Sequence, residues 1–113
     1  MSSLVDTTQL LKGVLDLAVL AALREDDGYG YDILRRLRAA GLDEVGDASV
    51  YGTLRRLFNG GLLTTYVVPS DEGPHRKYYG LNAAGHAELQ RSGKIWHGFA
   101  STMNDLIGER GTA

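Results

Sequence analysis

The sequence predicts a mainly helical α+β chain built from three helices, a two-stranded hairpin and a long terminal helix. Three observations lead there. Apolar residues recur at helical spacing through three segments before about residue 60. The pattern then changes to runs rich in β-branched and aromatic residues, at Leu62 to Val68 and Arg76 to Leu81, around a loop containing Pro69, Gly73 and Pro74. A helical stripe resumes after Asn82 and continues to about Ile107. These elements divide into a compact unit over residues 1–82 and an appended helix with its tail over residues 83–113.

The first helix spans about Asp6 to Arg24, with Asp6, Thr7 and Thr8 as N-cap choices. Leu10, Leu11, Val14, Leu15, Leu17, Val19 and Leu20 spread around most of its circumference. So much apolar surface on a short chain calls for a second copy, and Leu11 and Leu15 are expected at that interface. The second helix, Gly30 to about Ala40, turns Ile33, Leu34 and Leu37 inward and Arg35, Arg36 and Arg38 outward, with Gly41 as its stop. Leu42 to Gly46 reads as a short turn. The third helix runs from Asp47, its expected N-cap, to about Asn59. Val50, Leu54, Leu57 and Phe58 face its core side, and Ser49, Tyr51, Gly52, Thr53, Arg55 and Arg56 its outer side.

Composition narrows the function classes. With 43% apolar and 23% charged residues the chain is ordinary for a globular protein. The absence of cysteine removes disulfides, thiolate zinc sites and thiol nucleophiles. No basic, apolar leader is visible at Met1 to Asp6, and the stretch from Leu10 to Leu23 carries Lys12 and Asp16, so the expected address is the cytoplasm, with no membrane partner. His75, His86 and His97 lack metal-ligand spacing, and no phosphate loop, carboxylate pair or catalytic triad order stands out. Neither an enzyme nor a cofactor is expected.

Two helices joined by a short Gly-containing turn form a helix-turn-helix, and the hairpin after them supplies a wing. In such a motif the second helix enters the major groove of duplex DNA. Here its outer face offers Ser49, Tyr51, Thr53, Arg55 and Arg56, with Gly52 allowing close approach. Tyr29 and Tyr31 stand where the preceding helix meets the phosphate backbone. Arg76, Lys77 and Tyr78 give the wing a basic stem, while Asp71 and Glu72 keep its tip away from phosphate. The formal net charge of −2 counts against nucleic acid, so the case rests on where charge sits. Along the terminal helix Leu89, Ser92, Trp96, Phe99, Met103 and Leu106 follow spacings of 3, 4, 3, 4 and 3, a heptad seam suited to a homodimer. A twofold dimer would set two recognition helices roughly 34 Å apart over a palindromic operator.

Five blocks carry a resemblance: Gly28-Tyr29-Gly30-Tyr31-Asp32-Ile33, Ala48-Ser49-Val50-Tyr51-Gly52-Thr53-Leu54-Arg55-Arg56-Leu57, Gly61-Leu62-Leu63, Arg76-Lys77-Tyr78-Tyr79-Gly80-Leu81 and Asn82-Ala83-Ala84-Gly85. In this order the chain resembles the PadR family of bacterial regulators, in its short subfamily with a single C-terminal helix. The resemblance implies a cytoplasmic homodimer that represses promoters and is released by small aromatic ligands or stress signals. It also implies that Tyr51 and its neighbours touch DNA and that Arg76, Lys77 and Tyr78 anchor the wing. Gly52 departs from the proline or small polar residue common there, and Asn82 from the usual threonine.

Some short members bind flat aromatic compounds in a pore lined by a tryptophan, and Trp96 stands at the matching place, eleven residues after Gly85. The same ring is open to two roles, packing in the dimer or lining a ligand site with Leu10, Val14, Leu17 and Ala100. The competing class is a winged-helix adaptor that binds protein and no DNA, kept open by the mild acidity of the chain.

Overall fold

The computed structural model describes residues 6–70 and 72–108. The readings of the leader region, of Asp71 in the wing tip and of the tail beyond Gly108 fall outside those residues. The elements run α1 (Thr7–Ala22), β1 (Gly28–Tyr29), α2 (Gly30–Ala39), α3 (Asp47–Asn59), β2 (Leu63–Val68), β3 (Arg76–Leu81) and α4 (Ala83–Ile107). The expected mainly helical α+β class is therefore observed, with one addition. The two-stranded hairpin is a three-stranded antiparallel sheet in the order β1-β3-β2. Two residues, too few to show an alternation of their own, form the extra edge strand.

Local chemistry accounts for the boundaries. The Asp6 carboxylate accepts a hydrogen bond from the Gln9 N–H at 2.9 Å and starts α1, and Asn82 does the same for α4 through the Gly85 N–H. The Asp32 carboxylate accepts from the Tyr29 N–H at the start of α2. The N-cap of α3 is Gly46 rather than Asp47, which sits in the first helical turn, where its charge still complements the helix dipole. Gly41 and Gly61 end α2 and α3 with φ of +116° and +82°, a region costly for residues with a Cβ.

The core lies where α1, α2 and α3 meet beneath the sheet. Val19, Leu20, Ile33, Leu34, Leu37, Val50, Leu54 and Leu63 are buried there with Tyr79. Val45 joins them, so the expected Leu42 to Gly46 turn also plugs the core. Leu11 belongs to this interior too, at 8% exposure, which corrects its placement at a dimer interface. Leu15 and Leu89 are half-buried against the same cluster. Phe58, expected inside, is exposed at the end of α3. Arg36 and Arg38, expected to point into solvent, instead tie loops to α2. Arg36 donates to the carbonyls of Ala22, Asp26 and Asp27, and Arg38 to that of Val45.

The N-terminal half of α4 rests on α1, and its far half projects. The Cα radius of gyration is 16.2 Å, above the roughly 13 Å of a compact chain this long. Ile95, Trp96, Phe99, Met103, Leu106 and Ile107 are exposed along that projection.

Candidate nucleic-acid interface

Helix α3 presents Ser49, Tyr51 and Arg55 to solvent, and nothing lies within 4 Å of where a Cβ on Gly52 would stand. Tyr51 owes its position to Gly30. A Cβ at Gly30 would collide with the Tyr51 ring, so the ring packs close against the backbone that opens α2. Thr53 does not belong to this surface. It is 1% exposed, and its Oγ1 accepts a hydrogen bond from Arg56 at 3.0 Å. One step of 100° per residue carries position 53 past the edge of the outer face and into the packing against α1.

Arg56 is turned the same way. Its guanidinium bridges Asp16 of α1 at 3.1 Å, about 140° around the helix from Tyr51. Sequence periodicity placed Arg55 and Arg56 together because adjacent residues look alike on a broad outer face. Only the neighbouring helix separates them.

The sheet contributes a row of rings. In register, Tyr29 pairs with Tyr78 and Tyr78 with Tyr66, which puts three tyrosines side by side on one face. Their centroids are 5.5 and 5.7 Å apart, and Tyr31 follows at 6.4 Å from Tyr29. The Tyr66 hydroxyl donates to the Asp27 carboxylate at 2.6 Å. That hydrogen bond, reinforced by the carboxylate's charge, holds the Tyr66 pKa above the ordinary phenol value.

Strand alternation separates Arg76 from Lys77. Arg76 shares the tyrosine face, with its guanidinium carbon 4.8 Å from the Tyr29 ring centroid. Lys77 lies on the opposite face, its ammonium over Phe58 and Tyr79. Sequence reading missed Arg35, whose guanidinium carbon lies 5.7 Å from the Tyr31 ring centroid. Its signal was the spacing of four residues from Tyr31, one helical turn.

These arginines differ from the others in what they hold. Arg24, Arg56 and Arg91 pair with carboxylates, and Arg36 and Arg38 bind carbonyls. Arg35, Arg55 and Arg76 have no hydrogen bond or ion pair among the described residues. These three guanidiniums, on α2, α3 and the wing stem, keep positive charge without a partner among the described residues of a net-acidic chain.

A second feature lies away from this surface. Leu10, Val14 and Leu17 of α1 face Ile95, Trp96 and Phe99 of α4 across an open groove of about 680 Å³. Ala100, expected in this wall, is half-buried on α4 but does not line it. Two carboxylates edge the groove. Asp16 is held by Arg56, and Glu88 accepts from Arg91 and Ser92, which keeps its carboxyl below the usual range. Among the described residues there is no cluster able to hold a metal ion, and no helix is long and apolar enough to cross a membrane.

Comparison with known proteins gives this arrangement a context. A PadR-like transcriptional regulator from Bacillus cereus is 31% identical, with a TM-score of 0.78 over 88% of this chain and 96% of its own. A PadR family transcriptional regulator from Eggerthella lenta is 29% identical, with a TM-score of 0.79 over 88% of this chain and 87% of its own. Bacillus subtilis PadR, whose structure was solved in complex with operator DNA, is 26% identical, with a TM-score of 0.64. That match covers 69% of this chain and 46% of the B. subtilis protein. The model of the transcriptional regulator PadR-like family matches residues 19–91, from the last turn of α1 to the packed half of α4. The chain belongs to the PadR-like family of transcriptional regulators.

Proposed function

We propose that the protein is a homodimeric, sequence-specific DNA-binding repressor, released by a small aromatic ligand or a stress signal. The observation that carries the DNA reading is the surface shared by α3, the start of α2 and the wing stem. It combines an exposed Tyr51, open space over Gly52, and Arg35, Arg55 and Arg76, none of which has a hydrogen bond or ion pair among the described residues. On this reading α3 enters the major groove with Ser49, Tyr51 and Arg55 toward base edges, and Arg76 meets a flanking phosphate. The operator complex of the B. subtilis relative supports it. Arg56 and Thr53 then act within the protomer, and Lys77 reaches phosphate only from the far side of the wing.

The dimer reading rests on α4. Phe99 is 59% exposed and Trp96 41%, on a helix whose outer half has no intrachain cover among the described residues. A twofold partner through Trp96, Phe99, Met103 and Leu106 would bury that stripe and space two α3 helices one DNA turn apart, roughly 34 Å. The same pairing would roof the groove between α1 and α4, where Trp96 with Leu10, Val14 and Leu17 suits a flat apolar ligand. The address that fits this role is the cytoplasm.

The deciding experiment is a salt titration of duplex DNA binding with the wild type and with Tyr51→Ala/Arg55→Ala. The wild type should lose affinity steeply as salt rises. The double variant should bind at least about tenfold more weakly while remaining dimeric, since each lost base contact is worth about 1–3 kcal/mol. Absence of binding even at low salt would favour an adaptor that docks on protein.

A further inference from the structure

Tyr29 and Tyr31 open α2 in the place where a hydroxyl would be expected to bond a phosphate directly. Their rings, however, are already occupied. Arg76 reaches across from β3 and lies 4.8 Å above Tyr29, and Arg35 lies 5.7 Å from Tyr31. The two rings are themselves 6.4 Å apart, so the four side chains form one cluster bridging helix and wing. A guanidinium stacked on an aromatic face keeps its planar edge of N–H donors pointing away from the ring. Neither arginine uses those donors within the described chain. Each is therefore held in place by its ring while its whole hydrogen-bonding capacity remains unspent.

The cluster is also anchored from behind. Tyr29 packs on Tyr78, Tyr78 on Tyr66, and the Tyr66 hydroxyl bonds Asp27 in the loop before β1. The row ties the wing stem to the start of α2, so the two arginines move with one body. A long, flexible arginine normally loses side-chain entropy when it binds phosphate. One already stacked on a fixed ring loses less.

We propose that Arg35 and Arg76 form a pair of backbone-phosphate contacts, and that Tyr29 and Tyr31 serve as the platforms that hold them, acting through their rings rather than their hydroxyls. This rests on the DNA-binding reading above and adds a contact residue, Arg35, and a division of labour to it. The ligand chemistry is a phosphodiester oxygen accepting a charge-assisted hydrogen bond from guanidinium N–H groups.

The test uses the full chain and a random-sequence duplex DNA at low salt, so that no operator need be known. Arg35→Gln should lower the dependence of log affinity on log salt by about 0.9 per protomer. Tyr31→Leu should weaken binding about threefold, the scale of an exposed cation–π contact, whereas Tyr29→Phe and Tyr31→Phe should stay within about twofold of wild type. In an Arg35→Gln background, Tyr31→Leu should cost nothing further, a coupling that a merely structural role for the ring would not produce. An unchanged salt slope in Arg35→Gln would overturn the contact. A loss in the Phe variants as large as in Tyr31→Leu would overturn the platform, because the hydroxyl would then be the contact. A wild type that binds no duplex would overturn this proposal together with the reading beneath it. All of these variants alter exposed or half-exposed side chains, and thermal unfolding checks that each remains folded.

Discussion

Arg35 and Arg36 are neighbours in sequence, yet they do opposite work. The Arg36 guanidinium donates to three carbonyls, of Ala22, Asp26 and Asp27, at the end of α1 and in the following loop. Arg36→Met keeps the aliphatic stem and removes the donors. It should destabilise the fold by about 1.5–3 kcal/mol, the range for hydrogen bonds to a charged group, read as a lower urea midpoint at unchanged slope. Tyr66 makes a second prediction at this scale. Its pKa is raised by its bond to the Asp27 carboxylate, so the folded state favours the protonated phenol. The contribution to stability is then complete below the unfolded-state value of about 10 and is lost as pH rises through the raised folded value. In an alkaline titration followed by phenolate absorbance, Tyr66→Phe should remove a component that ionises above the ordinary phenol value. If the component lost ionises at the ordinary phenol value or below it, the hydroxyl is not held by Asp27.

At the scale of elements, α3 and α4 carry the interfaces and were legible to different degrees. The extent of α3, from Asp47 to Asn59, follows from apolar spacing, and so does the exposure of Ser49, Tyr51 and Arg55. The burial of Thr53 does not, because a small hydroxyl residue suits either side of a helix boundary until the packing of α1 decides. The strand β1 could not be read at all. Two residues provide no periodicity, and their pairing with Tyr78 and Tyr79 depends on chain almost fifty residues away. For α4 the stripe through Trp96, Phe99, Met103 and Leu106 was visible as a heptad pattern, and these residues are exposed on the protomer. Phe99→Glu would place an unpaired carboxylate at the centre of the proposed seam, where leaving a charge buried and unpaired costs about 3–5 kcal/mol. Size-exclusion chromatography should then show the protomer alone, with α-helical circular dichroism retained. A variant that elutes with wild type would move the dimer contact elsewhere.

The whole molecule is an acidic chain, of formal charge −2, carrying a cationic face, and an elongated one measuring 55 × 35 × 24 Å. Both properties suit a subunit completed by a second copy and a polyanion. The chain has one tryptophan, Trp96, on the exposed part of α4, so its fluorescence reports on that helix alone. Its emission should shift to the blue as protein concentration rises through the dimer dissociation constant, as the ring leaves water. It should stay red in Phe99→Glu at every concentration. An emission maximum independent of concentration in a protein shown to associate would place Trp96 outside the interface.

Local chemistry needed no tertiary partner to be read: the helix cap at Asp6, the stop at Gly41, the change of period after Leu62, and the apolar stripe of α4. Each depends on residues within one or two turns, whose steric and hydrogen-bonding preferences act over that same short range. What packing alone decided was the use of each side chain where choices of equal local merit existed. Leu11 went to the core, Arg36 and Arg56 were spent inside the protomer, and Arg35, Arg55 and Arg76 found no hydrogen-bond or ion-pair partner among the described residues. A guanidinium reaches several ångströms in any direction from its Cα. Whether it meets a carboxylate, a carbonyl or a tyrosine ring is settled by which other element folds beside it.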